Sequence, residues 1–401
     1  RLGNPQDRLK YVHVAGTNGK GSVIAYLYTT LSDAGYRVGR YISPSVYSYR
    51  EKMEVDGRAV SREVFAGYIT RVAAAIEEMT EEGLAHPTPF EIETAVAFLF
   101  FAEEKCDLVI LEVGMGGDLD ATNIIKNTVL AVLVPISMDH QAFLGNTLAE
   151  IAQKKAGIIK PGCSVVTVGQ QPETMEVIRN VCQEKGADLT ETDLNSIKAL
   201  KEDFAGQILE YREETYKISL AGSYQTENAA LALDALEVLN HKGYPTTVEQ
   251  RKKGLEETKW NGRLTIIHRN PLFIVDGAHN PAAADMLEDS VRKYFKGRNM
   301  YFIMGVFRDK DYSYIIRKLC PYAEQIVTIE TPDNPRALPA QELAEAVRAC
   351  NPHVQAAENI QDAVNKVFAM AEREDLILSF GSLSFIGEIT TIVKNREEKN
   401  L

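Results

Sequence analysis

The sequence predicts an α/β protein in two units, the first built on a parallel sheet. Three observations carry that expectation. Short apolar runs bounded by turn residues alternate with longer stretches whose apolar residues recur at helical spacing. The pattern resets near "TKWNGR", residues 258–263, and a second alternation follows. The first apolar run feeds into "GTNGKGS", residues 16–22, a stretch bare enough for backbone N–H groups to approach a phosphate.

Residues 9–15, 108–113, 128–135 and 164–168 suit buried strands. Residues 22–34, 63–78, 89–104 and 147–156 carry helical spacing between them. Strands separated by helices imply a parallel sheet with covered faces. Residues 207–220 alternate apolar and polar, as in an antiparallel hairpin, and 225–240 read as a long helix. Beyond the reset, 272–275, 300–304, 325–329 and 376–380 read as strands. Residues 282–295, 314–319, 340–349 and 363–372 read as the helices of that unit. The chain is therefore divided into 1–262 and 263–401. A cleft between two α/β units suits the joining of two ligands. No internal repeat or low-complexity segment interrupts the pattern.

The 401 residues are 45% hydrophobic and 25% charged, an ordinary balance for a protein with a proper core. A formal net charge of −12 argues against duplex nucleic acid or an anionic membrane as partner, since both need basic faces. No apolar run reaches the ~18 residues of a membrane span. The five cysteines, Cys106, Cys163, Cys182, Cys320 and Cys350, include no Cys-x-x-Cys pair. They read as free thiols in a reducing compartment, which points to the cytoplasm. The chain opens on Arg1 with no signal-peptide pattern, and residues 2–10 read as the middle of a longer segment.

A strand, a glycine turn, Lys-Gly-Ser and a helix make a phosphate cradle. Lys20 would reach the outer phosphates and Ser22 is able to ligate magnesium. The spacing departs from the usual P-loop, because only Thr17 and Asn18 separate Gly16 from Gly19. A dinucleotide site fits less well: the glycine order is reversed, and no acidic residue ends the next run, 37–42.

Other motifs follow strands. "LVILEVGMGG" puts Glu112 near a strand's carboxyl end, suited to hold Mg²⁺ opposite Ser22. "VPISMDHQAFLG" puts Asp139 and His140 on a similar loop, where the histidine is either structural or a ligand. "QKKAGIIKPG" holds Lys154, Lys155 and Lys160, which alone read as a solvated basic helix end. "IVDGAHNPAA" offers Asp276 and His279 to a ligand, with Asn280 or Asp276 able to cap the following helix. Arg263, at the boundary, is able to reach a phosphate from either side.

Taken in order, "LGNPQ…HVAGTNGKGS", "TPFE", "GMGGDLDATN", "DHQAFLGNTLAEIAQKKAGIIKPG", "NGR", "DGAHNP", "GVFRDKDY" and "FGSLSFIGEI" resemble the folylpolyglutamate synthases and bifunctional dihydrofolate synthases of the Mur ligase superfamily. The resemblance spans nearly the whole chain. It implies a P-loop-containing N-terminal Mur-ligase-type ATPase domain and a smaller C-terminal Rossmann-like α/β domain. It implies that Thr17, Asn18, Gly19, Lys20, Gly21 and Ser22 bind ATP phosphates, with Asn228, Arg263 and Asp276 also at the nucleotide. Ser22, Ser43, Glu112 and His140 are the implied ligands or neighbours of two Mg²⁺ ions, and K⁺ is a further implied cofactor. Lys155 matches a lysine that the family carbamylates, which overturns its bland reading. Lys20, Lys155, Asp276 and His279 are the implied catalytic set. Thr88, Phe90 and Glu91 would lie near the pterin, and Ser382 near the incoming glutamate.

The implied reaction activates a folate or dihydropteroate carboxylate as an acyl phosphate, which L-glutamate then attacks. A monomer is expected. Two departures stand out: Asp118 where the family commonly has arginine, and Lys154 in place of a common acidic residue. Two rival functions are another Mur-type amino-acid ligase and a P-loop nucleotide-binding regulator. The regulator leaves the second unit and "DGAHNP" without a use.

Overall fold

The computed structural model describes residues 1–204 and 206–399. Eight strands form the first sheet: β1 (Tyr11–Ala15), β2 (Val38–Tyr41), β3 (Met53–Val55), β4 (Arg58–Ala59), β5 (Leu108–Glu112), β6 (Thr128–Leu133), β7 (Ser164–Val168) and β8 (Asp188–Thr192). Their order is β4-β3-β2-β5-β1-β6-β7-β8. From β2 to β8 across this order the pairing is parallel, and β3 and β4 run antiparallel at one side. The chain leaves β1 toward β2, then crosses from β5 over to β6 on the other flank of β1. Connections diverging around a central strand open a crevice at the strand carboxyl ends.

Strand β1 is wholly buried, because both of its faces are covered. Val12 and Val14 join the core under helices Lys20–Asp33 and Gln225–His241. On the opposite face Tyr11 packs with helix Pro89–Glu103, and Ala15 with helices Leu148–Ala156 and Pro172–Lys185. This is the period-2 alternation of a strand buried on both sides.

A small antiparallel sheet follows, from β9 (Lys198–Asp203), β10 (Gly206–Tyr211) and β11 (Glu214–Ile218). The third sheet contains β12 (Thr265–Arg269), β13 (Leu272–Val275), β14 (Met300–Met304), β15 (Gln325–Thr328), β16 (Val354–Ala356) and β17 (Leu376–Phe380). Its order is β12-β13-β17-β14-β15-β16, parallel except for β12.

The strands that the apolar pattern does not announce in the two large sheets are β3, β4, β8, β12 and β16. All lie at or beside a sheet edge. Edge strands are half solvated, so they lack the continuous apolar run of central parallel strands. The expected hairpin over 207–220 is β10–β11, and β9 adds a third, charged strand beside it.

All five cysteines are free thiols, and only Cys350 is exposed. Among the described residues, no helix is long and apolar enough to cross a membrane.

Candidate functional site

The glycine turn leaves the carboxyl end of β1 and opens helix Lys20–Asp33. Its glycines are dictated by close approach. Gly16 has φ +140°, and a Cβ there would lie 2.2 Å from Val134 Cγ2 and 2.6 Å from the Val134 carbonyl oxygen. Gly19 has φ +101°, and a Cβ would sit 2.5 Å from Asn228 Oδ1. A Cβ on Gly21 would lie 2.3 Å from the ring of Trp260. Only glycine meets these limits without displacing its neighbours.

The turn is braced from outside. Thr17 Oγ1 donates to the Ser137 carbonyl at 3.1 Å and accepts from the Ser137 N–H at 3.0 Å. Lys20 Nζ folds back to donate to the Gly16 and Thr17 carbonyls at 3.3 and 3.2 Å. Ser22 Oγ accepts from Gln225 Nε2 at 3.1 Å, and Asn228 Nδ2 donates to Gln225 Oε1 at 3.1 Å.

Glu112 ends β5 and is buried beside this turn. Its Oε2 accepts the Ser43 N–H at 3.0 Å, and its Oε1 is 3.9 Å from Lys20 Nζ. Burial raises its pKa against the pull of Lys20. Lys155 is also buried, and its Nζ donates to the Gly16 carbonyl at 2.9 Å. Burial, then the charge of Lys20, pushes its pKa down to about 7. His140 lines the same cleft, and burial lowers its pKa, which favours the neutral imidazole.

Among the described residues, no group of three His, Cys, Asp or Glu side chains gathers tightly enough to hold a metal alone. Ser22 and Glu112 are hard oxygen donors at the cradle. That set fits magnesium shared with phosphate and water rather than caged by protein.

The second unit closes over the cradle. Asn280 exchanges amide hydrogen bonds with Asn18 of the turn, at 3.2 and 3.3 Å. Asn280 Nδ2 also donates to Asp139 Oδ2 at 3.0 Å, and Lys310 Nζ donates to Asp139 Oδ1 at 2.8 Å. Asp276 accepts the Leu264 and Ala278 N–H groups at 2.9 and 2.8 Å, and burial raises its pKa against the charge of Arg263. His279 Nδ1 lies 2.8 Å from the Gly277 carbonyl, so Nδ1 carries the hydrogen and Nε2 is bare. Burial pushes its pKa down to about 4. Asn280, not Asp276, caps helix Pro281–Tyr294.

Two pockets flank the turn. Lys20, Glu112, His140, Lys155, Arg263 and His279 line one; Ser43 lies on its wall. Ser22, Asn228, Arg263 and Asp276 line a narrower crevice behind Gly19. A third, more apolar cavity of about 440 Å³ lies between helices Arg62–Glu81 and Pro89–Glu103, with Asp120 and Glu91 in its wall. The segment after β5 lines both, with Gly114, Met115 and Gly116 at the first pocket and Asp120 and Ala121 at this cavity.

The four residues expected at substrate also have partners within the protein. Thr88 and Glu91 form a reciprocal capping box at the start of helix Pro89–Glu103. Phe90 stacks on Tyr41, ring centroids 6.0 Å apart. Ser382 is buried, and its Oγ accepts from the Ser384 N–H at 3.2 Å.

Residues 14–236 match the Mur ligase middle domain, and 262–383 match the Mur ligase glutamate ligase domain. A dihydrofolate synthase/folylpolyglutamate synthase of Bacillus subtilis is 35% identical over 98% of this chain and 93% of its own. The chain belongs to this family of Mur ligases. Its structure overlays a Mycobacterium tuberculosis folylpolyglutamate synthase complexed with ADP and AMPPCP, with TM-score 0.89 and 31% identity over 98% of this chain and 92% of that one. An E. coli FolC in complex with DHPP and ADP gives TM-score 0.85 and 29% identity over 99% of this chain and 91% of that one.

Against the family pattern, the two departures meet each other. Lys154 Nζ donates to Asp118 Oδ2 at 3.0 Å, so one charge compensates the other. Sequence reasoning missed Gln225, Trp260 and Lys310. Lys310 sits in "GVFRDKDY", a motif quoted for the family without a role for its lysine. Gln225 and Trp260 carry no local signal, since long-range packing alone brings them to the turn.

Proposed function

We propose that this family member is an ATP-dependent acid–amino-acid ligase that joins L-glutamate to the carboxylate of a folate, and that it also accepts dihydropteroate. One observation carries the reading. A phosphate cradle, a buried carboxylate and residues of a second unit converge on a single cleft, and a large apolar cavity opens one loop away. The related E. coli FolC is in complex with DHPP and ADP, and two ligands side by side are what two adjoining pockets would take.

In this reading Thr17–Ser22 hold the ATP phosphates, with Asn228, Arg263 and Asp276 along the nucleotide. Ser22 and Glu112 would hold one Mg²⁺. His140 and a carbamate on Lys155 would hold a second, with Ser43 nearby and K⁺ as a further ion. Bound magnesium would neutralise phosphate charge and polarise the group being transferred. The carbamate forms when the neutral Lys155 amine attacks CO2: an N–C bond forms and the nitrogen gives a proton to water. The low pKa of Lys155 supports this, because only the neutral amine reacts.

A carboxylate is a poor electrophile. Its oxygen attacks the γ-phosphorus in line, and the bond to ADP breaks. Lys20 and the backbone amides of the turn stabilise charge on the moving phosphoryl. The amine of glutamate then attacks the acyl carbon, and inorganic phosphate leaves. His279 presents its bare Nε2 to the incoming nitrogen, with Ser382 on the same side. Closure by Asn280 and Lys310 excludes the water that would hydrolyse the acyl phosphate. The folate head sits in the apolar cavity, with Phe90, Thr88 and Glu91 at its border. The free thiols fit a cytoplasmic protein, and we expect it to act as a monomer.

Phosphate release is the test, with dihydropteroate, tetrahydrofolate and a UDP-muramyl peptide, each with and without glutamate. Release that needs both a pteroyl substrate and glutamate is expected. Release with the muramyl substrate, or independent of glutamate, would overturn the proposal.

A further inference from the structure

His13 opens the glycine motif, yet nothing in the phosphate chemistry uses it. It is fully buried in the centre of β1, on the face shared with Tyr11 and Ala15 rather than toward the nucleotide. A polar ring in such a place costs stability unless its partners repay it.

Its Nε2 lies 2.8 Å from Thr122 Oγ1. Thr122 is fully buried, and its hydroxyl donates to Asp120 Oδ1 at 2.5 Å. The hydroxyl has a single hydrogen, and that hydrogen is spent on the carboxylate. Thr122 therefore accepts from His13, which fixes the hydrogen of the ring on Nε2. His13 Nδ1 is then the bare nitrogen, and it is buried without a hydrogen-bond partner among the described residues. Burial lowers the pKa of His13 to about 3, so the ring is neutral, as this arrangement requires.

Asp120 is held from three further directions. The Thr122 N–H reaches Oδ1 at 3.0 Å, the Met115 N–H reaches Oδ2 at 2.9 Å, and the Asp120 N–H binds the Gly117 carbonyl at 3.3 Å. One end of this chain is the strand that carries the phosphate cradle. The other is a carboxylate in the wall of the apolar cavity.

We propose that His13 and Thr122 are positioning residues that aim the Asp120 carboxylate at the N–H edge of a nitrogen heterocycle bound in the apolar cavity. The inference rests on the proposed placement of the folate head there. Oδ1 already accepts two hydrogen bonds and Oδ2 one, so Oδ2 keeps the acceptor capacity for an N–H of an amide or amidine edge. A fixed orientation is what allows it to discriminate such an edge from a plain aromatic ring.

Steady-state kinetics of His13→Met, His13→Gln, Thr122→Val and Asp120→Asn separate the possibilities. Gln places an amide N–H where Nε2 lies, whereas Met fills the space without a donor. Thr122→Val keeps the shape and ends the relay if the histidine variant fails to fold. We expect His13→Met and Thr122→Val to raise KM for the pteroyl substrate about tenfold while KM for ATP and glutamate stays within about twofold, and His13→Gln to restore most of the loss. Equal changes in all three KM values, or a His13→Gln variant no better than His13→Met, would overturn the relay. If Asp120→Asn raises the pteroyl KM but the His13 and Thr122 variants do not, the relay fails and the cavity reading survives. If Asp120→Asn also leaves that KM unchanged, the placement of the head group is wrong.

Discussion

The Lys310–Asp139 pair joins the second unit to the loop beside the cradle, and Lys310→Met tests what that contact is worth. Both side chains are nearly buried, 8% and 12% exposed. Breaking a buried pair by removing one partner typically costs about 3–5 kcal/mol. Asp139 would keep two donors, Asn280 Nδ2 at 3.0 Å and the His140 N–H at 2.8 Å. We therefore expect a loss of about 2–3 kcal/mol. Asp139→Asn should lose a similar amount by stranding the ammonium, and the double variant less than the sum.

Acid supplies an internal control. Burial opposes ionisation of Asp139, but the charge and hydrogen bond of Lys310 win and hold its pKa well below the usual carboxylate range. A depressed carboxylate stabilises the fold above its unfolded-state pKa, about 4, and loses that contribution as pH falls through the folded value. The gap between the native protein and Lys310→Met should be full at neutral pH and narrow in acid. Denaturant unfolding of the four proteins across pH gives both readings. A coupling energy below about 0.5 kcal/mol, or a gap that does not change with pH, would refute the argument.

Three further outcomes follow from the same geometry. Gly21→Ala drives a methyl into Trp260; it should cost about 1–3 kcal/mol and weaken nucleotide binding, read by calorimetry and by the fluorescence of the single tryptophan. Unchanged binding and melting would contradict that. Lys155→Ala should be inactive and partly rescued by short carboxylic acids; full activity without additive would defeat the carbamate. Thr88→Ala removes half of a capping box and should cost about 1 kcal/mol of stability while the pteroyl KM moves less than about twofold. A large KM change with no loss of stability would contradict the cap as the main role of Thr88 at that border.

What was legible in the sequence followed burial. Central strands β1, β5, β6, β13, β14, β15 and β17 are covered on both faces and read as continuous apolar runs; the edge strands are not and did not. The cradle was legible because three glycines around the start of a helix serve few purposes. Glu112 was legible because a carboxylate at the end of a buried strand needs a reason. Lys155 was not, since a lysine in a helix's last turn is ordinary until the fold buries it against the Gly16 carbonyl. The ties of the second unit to the first, Asn18 to Asn280 and Asp139 to Lys310, join residues more than a hundred positions apart. No local pattern encodes them. The capping box of Thr88 and Glu91 has the Thr-x-x-Glu spacing in plain view, because a cap is a local feature of the chain.

The central claim is that the acid is energised by the γ-phosphoryl group before the amine arrives. Turnover of a folate labelled with ¹⁸O in its side-chain carboxylate tests it directly. An acyl phosphate predicts that one labelled oxygen appears in the released inorganic phosphate for each amide formed. Unlabelled phosphate at full turnover would contradict it.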